Sequence, residues 1–144
     1  MSDSMPTLSN EDLQMIALLE RQTGARANDV VLAEDSVIFV VQAGDLGRAI
    51  GKAGANIAKL RHRFGGKQID VFEYSDDAAQ FLKNVFHPVE VRSVEQVEAG
   101  GRKVFHVSVD LKNKGLAIGK AGSKIKKARM LAKRYFQADD VKIL

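Results

Sequence analysis

The chain has 144 residues, 45% of them apolar and 28% charged, with no cysteine and a formal charge of +4 at neutral pH. This is the composition of a folded globular protein, and it excludes disulfides and cysteine-based zinc sites. No apolar run approaches the roughly 18 residues a membrane helix needs, and the polar start lacks a signal-peptide core, so a cytoplasmic protein without membrane contact is expected.

Residues 1–9 read as a mobile tail that leads into a helix. Ser9 is placed as its N-cap, Glu11 and Asp12 sit in its first turn where the helix dipole favours acids, and Gly24 is its stop. Two β-rich runs, 29–33 and 37–42, flank Glu34-Asp35-Ser36 and predict a hairpin. Asp45 is expected to cap a short helix over 46–50, broken by Gly51-Lys52-Ala53-Gly54. A second helix follows over 55–64, closed by Gly65-Gly66, and then a strand over 68–72.

The pattern then restarts. Ser75, with Asp76 and Asp77, is expected to cap a helix carrying Phe81, Leu82, Val85 and Phe86 and ending before Pro88. Strands are predicted over 89–97 and 103–109, the second alternating in a half-buried pattern, with a turn at 98–101 between them. A helix pair over 112–135 carries Gly119-Lys120-Ala121-Gly122, and a strand over 141–144 follows. Each half is helix, strand, strand, helix, glycine loop, helix, strand, which divides the chain into domains at 10–74 and 75–144. With no Gly/Ser/Pro-rich linker between the halves, a fixed relation between them is expected, with the two loops acting as one surface.

The two loops lie in one repeated phrase. Ala-Ile-Gly-Lys-Ala-Gly occurs at 49–54 and again at 117–122, an offset of 68 residues. The windows 46–69 and 111–138 hold 15 of the 22 basic residues and none of the 18 acidic ones. A solvated charged face mixes signs, so this segregation around both loops points to a polyanion. Two glycines three apart between helices allow close backbone approach and free amides at a helix start, which suits a phosphate. A plain helix–helix turn would also use glycine; it is the duplication in identical contexts that favours the phosphate.

Other phosphate loops fit less well. Gly47 and Gly51 have three residues between them where a Walker loop has four, and Lys52 is followed by Ala53 in place of the hydroxyl that holds magnesium. Neither loop contains the Gly-x-Gly of a dinucleotide site. His62, His87 and His106 are scattered, and the pairs Asp76-Asp77 and Asp139-Asp140 read as capping and solubility groups. No enzyme activity, metal, cofactor or small-molecule substrate is expected.

Ile-Gly-Lys-Ala-Gly between two short helices resembles the KH module, in which a GXXG loop clamps about four nucleotides of single-stranded nucleic acid. The element order resembles the prokaryotic, type II arrangement. The fold class this implies is α+β, with two tandem domains, each a three-stranded mixed sheet covered by helices. Joined almost without a linker, residues 10–144 resemble the paired KH region of the NusA-like transcription factors, in their short archaeal form. The polymerase-binding N-terminal domain and the S1 domain of the bacterial members have no counterpart in these residues.

The resemblance implies a protein that binds single-stranded RNA during transcription termination, antitermination or elongation. RNA polymerase or the transcription complex is the further partner it implies. Gly51, Lys52, Ala53, Gly54 and Gly119, Lys120, Ala121, Gly122 would face the sugar–phosphate. Ile50, Ile57 and Val71, with Ile118, Ile125 and Val141, would form apolar floors beneath the bases, although Ile57 and Ile125 suit core packing equally well. Arg48, Asn56, Lys59 and Arg61, with Lys124, Lys126, Lys127 and Arg129, are candidates for phosphates or base edges; at helical spacing not all of them reach one groove. The aromatic residues fall mostly at apolar periodic positions and read as core. Two alternatives stay open: a ribosome-associated or ribosome-assembly KH protein, and a nucleotidase or nuclease, which the missing acid, metal and hydroxyl groups disfavour.

Overall fold

The computed structural model describes residues 7–144 and divides into two compact units, Thr7–Ser75 and Asp76–Leu144. Of the tail expected at 1–9, the first six residues lie outside the described residues. Leu8, in contrast, packs against the first core, and Ser9 caps the first helix.

In the first unit, α1 (Asn10–Thr23) opens with a capping box. The Asp12 amide donates to Ser9 Oγ at 3.1 Å and the Ser9 amide donates to the Asp12 carboxylate at 3.0 Å, which satisfies two otherwise orphaned donors. The helix ends at Gly24 in the left-handed conformation, φ 78°. β1 (Ala27–Leu32) and β2 (Ser36–Val41) pair antiparallel, and β3 (Gln68–Glu73) pairs parallel to β2, in the order β1-β2-β3. A parallel pair needs a crossover, and α2 (Leu46–Ile50) and α3 (Ala55–Arg63) provide it, with the glycine loop at their junction. Val37, Phe39 and Val41 alternate along β2 and join one core with Leu19 of α1, Ala49 of α2 and Leu60 of α3. Burying a leucine such as Leu60 contributes about 1.5–3 kcal/mol, which fixes the face that α3 turns inward and hence the loop at its start. The rings of Phe39 and Phe64, 5.9 Å apart, close the far end of α3.

The second unit repeats the plan with α4 (Ala78–Phe86), β4 (Ser93–Ala99), β5 (Arg102–Ser108), α5 (Lys114–Ile118), α6 (Ser123–Phe136) and β6 (Asp140–Ile143). β4 is antiparallel and β6 parallel to β5. Both units are therefore α+β with a three-stranded mixed sheet, as the element order implied. Gly100 and Gly101, both at positive φ, make a tight two-residue turn between β4 and β5. Phe81 of α4 meets Tyr135 of α6 edge-on at 5.4 Å in the buried helix contact.

Several local expectations are corrected. Ser75 does not cap α4: the Tyr74 amide still donates to the Val41 carbonyl at 2.8 Å, so the chain is extended there and turns into a helix only after Asp77. β4 begins at Ser93 and not at Val89, because β5 ends at Ser108 opposite Ser93; the Arg92 amide still donates to the Ser108 carbonyl at 2.7 Å, and residues 89–91 lie beyond the end of β5. Asp139 and Asp140 do more than solubilise. The Asp139 carboxylate accepts the Lys103 amide at 2.8 Å, and Asp140 pairs with Arg129 at 2.9 Å, which fastens the start of β6 to β5 and α6.

Candidate nucleic-acid interface

The two glycine loops have one conformation. Gly51 lies at φ 78°, ψ 167° and Gly119 at φ 82°, ψ 170°. Ala53 (φ 55°, ψ 29°) matches Ala121 (φ 54°, ψ 27°), and Gly54 and Gly122 share φ 75°, ψ 16°. Identical residues in identical contexts have folded twice to the same local minimum.

The glycines answer different constraints. A Cβ on Gly51 would lie 2.9 Å from the Asn56 amide nitrogen, and one on Gly119 would lie 2.8 Å from that of Lys124. The first glycine therefore lets the start of the second helix fold back onto the end of the first. Gly54 has open space around its Cα and is required by its left-handed φ alone. Ala53 and Ala121 hold the same left-handed region without glycine's freedom, at a cost of roughly 1–2 kcal/mol each. Such strain at an exposed loop tip is what a site shaped for a ligand retains.

Backbone donors are available at this tip. The Gly54 amide bonds to the Gly51 carbonyl at 3.1 Å and the Ala55 amide to that of Lys52, a pattern that leaves the amides of Lys52 and Ala53 out of the turn's hydrogen bonding. Lys52 and Lys120 are exposed beside them. Amides, a helix start and an ammonium group are together the kind of groups that can hold an anion.

Around the first loop, Arg48, Ile50, Lys59 and Arg61 are exposed, while Asn56, Ile57 and Val71 are half-buried. Asn56 Nδ2 donates to the Arg48 carbonyl at 2.7 Å, so its side chain closes the end of α2. Arg61 Nε donates to the Gly66 carbonyl at 3.2 Å. Asp45 does not cap α2. Its nearly buried carboxylate accepts the Arg26 amide at 2.8 Å, and its other oxygen lies 3.7 Å from Arg48. The part-buried backbone donor of Arg26 takes an oxygen that a helix start would otherwise take.

The second loop's neighbours are placed differently. Ile118, Lys126 and Arg129 are exposed, but Ile125, Lys127 and Val141 are buried. Lys124 Nζ donates to the carbonyls of Phe86 and His87 at 3.3 and 3.4 Å, at the end of α4. Arg129 donates to the Val141 carbonyl at 3.1 Å besides pairing with Asp140. Lys120 and Lys126 are thus the predicted cations of this half that stand exposed without a bond assigned above.

Sequence reasoning passed over a shallow depression along α3, lined by Gly54, Ile57, Ala58, Arg61, His62, Gly65 and Gly66. Ile57, Ala58, Arg61 and His62 recur at steps of three or four along α3, which was the available signal, since such residues share one helix face; Gly65 and Gly66 follow the end of the helix. Among the described residues, no group of three or more His, Asp or Glu side chains could hold a metal ion.

Comparison with known proteins follows the same outline. The NusA-like second KH domain family matches residues 78–142, and the KH domain family matches residues 15–102. A probable transcription termination protein NusA from Methanococcus vannielii is 37% identical over 137 residues, covering 95% of this chain and 79% of that one. The protein of the same name from Halococcus morrhuae is 36% identical, covering 95% and 97%. The crystal structure of APE1850 superposes with a TM-score of 0.86 at 36% identity, covering 95% of this chain and 100% of that chain.

Proposed function

The chain belongs to the NusA-like family of KH-domain proteins, and we propose that it binds single-stranded RNA through its two GXXG loops in transcription termination or antitermination, or in elongation. The observation that carries this function is the doubled loop itself. One strained backbone conformation recurs in both units, with amides outside the turn's hydrogen bonding and an exposed lysine, inside the two windows that hold 15 basic residues and no acid. Each loop would take the sugar–phosphate of about four nucleotides. In the first unit, Ile50, Ile57 and Val71 offer apolar surface for bases, with Arg48, Lys59 and Arg61 near the phosphates. In the second, Ile118 offers that surface with Lys120 and Lys126, while Ile125 and Val141 are buried.

The role is one of binding, without catalysis. The names of the relatives, probable transcription termination proteins, support transcription as the setting, and RNA polymerase or the transcription complex is the further partner proposed. The test is direct titration of labelled single-stranded RNA with the protein, beside duplex RNA of the same sequence. Preference for the single strand is expected. Equal affinity for the duplex would reduce the interface to an unspecific basic surface.

A further inference from the structure

The cations of α3 divide between two faces. At about 100° per residue, Ile57 and Arg61 lie within about 40° of each other, Lys59 and Arg63 fall on the far side of the exposed arc, and Ala58 and His62 lie between. Two depressions follow this division. The one described above, of about 680 Å³, has Arg61 in its wall. A second, of about 370 Å³, is lined by Ala58, Lys59, His62, Arg63 and Gln22 of α1. Ala58 and His62 line both, so the depressions adjoin along a ridge formed by these two exposed residues. At Ala58 the ridge is only a methyl group high.

In the second unit the matching face is packed. At the repeat offset of 68 residues, Lys59 and Arg63 correspond to Lys127 and Leu131, which are 9% and 0% exposed. α3 ends at Arg63, whereas α6 continues past Leu131 to Phe136. The last turn of α6 places Tyr135 and Phe136 against Phe81 of α4, with ring centroids 5.4 and 5.8 Å apart. Burying rings there stabilises the second unit, and the exposed charges of the first forgo that gain. Among the described residues, Lys59, His62 and Arg63 have no hydrogen-bond or ion-pair partner, and no carboxylate lines either depression.

Resting on the RNA-binding function proposed above, we infer that the RNA path of the first unit continues beyond its loop. The strand crosses α3 over Ala58 and lays further phosphates against Lys59 and Arg63, in the depression between α3 and the end of α1. Continuity is the first ground: Gly54 of the loop lines the first depression, which shares its ridge with the second. From Gly54 to Arg63 the chain rises about 14 Å, a short step for a strand already held at the loop. Charge is the second ground. The window 46–69 has no acid, and the partial negative charge at the end of α1, about half a unit, is outweighed by two full cations. An extended polyanion suits this site better than a lone phosphate, since Lys59 and Arg63 stand a turn apart along an open groove.

The test uses the full chain with labelled single-stranded RNA pools of four and of twelve random-sequence nucleotides, read by anisotropy across a salt series. Arg63→Ala is expected to lower affinity for the longer RNA roughly fivefold at about 0.1 M salt and to flatten the salt slope by about 0.7. Affinity for the shorter RNA, which a loop alone accommodates, should not change. Arg63→Lys should restore most of the loss, and adding Lys59→Ala to Arg63→Ala should take about 0.7 more from the slope. Lys83→Ala with Arg102→Ala, exposed cations outside both acid-free windows, controls for net charge and should leave the slope unchanged. Equal affinity of Arg63→Ala and wild type for the longer RNA overturns the path, as does an equal loss on the shorter RNA or in the control. Loss of binding to purified RNA polymerase alone, with RNA affinity intact, would make the groove a protein contact and also overturn it. Failure of the wild type to bind either RNA is a different result: it removes the underlying function, and the path with it.

Discussion

Asn56 Nδ2 donates to the Arg48 carbonyl at 2.7 Å, so the first turn of α3 satisfies the last turn of α2 across the glycine loop. A helix of five residues leaves most of its carbonyls without internal partners, and this bond answers one of them. The same side chain occupies the space a Cβ on Gly51 would need, 2.8 Å from Asn56 Cγ. In the second loop Lys124 holds the equivalent position and sends its ammonium to Phe86 and His87, yet the backbone angles are the same. Side-chain bridging is therefore a stabiliser of the first loop and not the cause of its shape.

Asn56→Ala should accordingly destabilise the first unit by roughly 0.5–1.5 kcal/mol, toward the low end because the bond is exposed. Urea denaturation measures it. An unchanged midpoint would mean that water replaces the side chain at the Arg48 carbonyl.

The paired glycines should differ in tolerance. Gly54→Ala meets only the left-handed penalty of about 1–2 kcal/mol. Gly51→Ala adds a collision with the Asn56 backbone at φ 78°, ψ 167°, a region essentially restricted to glycine. Its loss should exceed that of Gly54→Ala by at least about 1 kcal/mol. The same order is expected for Gly119 and Gly122 in the second unit, where the Lys124 backbone is the obstacle. Equal losses within a pair would show that the loop relaxes away from the contact.

Paired acidic substitutions separate binding from folding. Lys52→Asp with Ala53→Asp, and Lys120→Asp with Ala121→Asp, place two negative charges where phosphate is proposed to sit. Both sites are exposed, and aspartate is among the residues that accept the left-handed region, so stability should move by less than about 1 kcal/mol. RNA affinity should drop in each variant. For the wild type, log affinity should decline by roughly 0.7 per phosphate contacted for each log unit of salt. Unchanged affinity in both variants, or a flat salt response, would remove the phosphate from the loops.

Asp45 supplies a prediction about folding alone. Asp45→Ala orphans the Arg26 amide and should cost about 1–3 kcal/mol, whereas Asp45→Asn retains an acceptor and should recover most of it. Equal losses for the two variants would assign the effect to charge in place of the hydrogen bond.

What the chain determines locally was legible without a structure. The order of helices and strands follows from hydrophobic period, caps and glycines, and the capping box at Ser9 and the stop at Gly24 are set by residues within one turn of each other. Both loops share one conformation because identical neighbours impose identical sterics, and the acid-free windows around them are a property of composition. What each side chain then does was decided by partners far along the chain. Asp45 was claimed by an amide 19 residues away, and Arg129 by a carboxylate and a carbonyl on β6. Lys126 is exposed and Lys127 buried although they are adjacent, because the 100° step of a helix puts neighbours on different faces and only packing selects the inward one. For the same reason Leu111 and Leu116, unremarkable as letters, proved exposed while Ile125 and Val141 went into the core. The period of a pattern is written in the sequence, but its phase against the rest of the molecule is settled by tertiary contact.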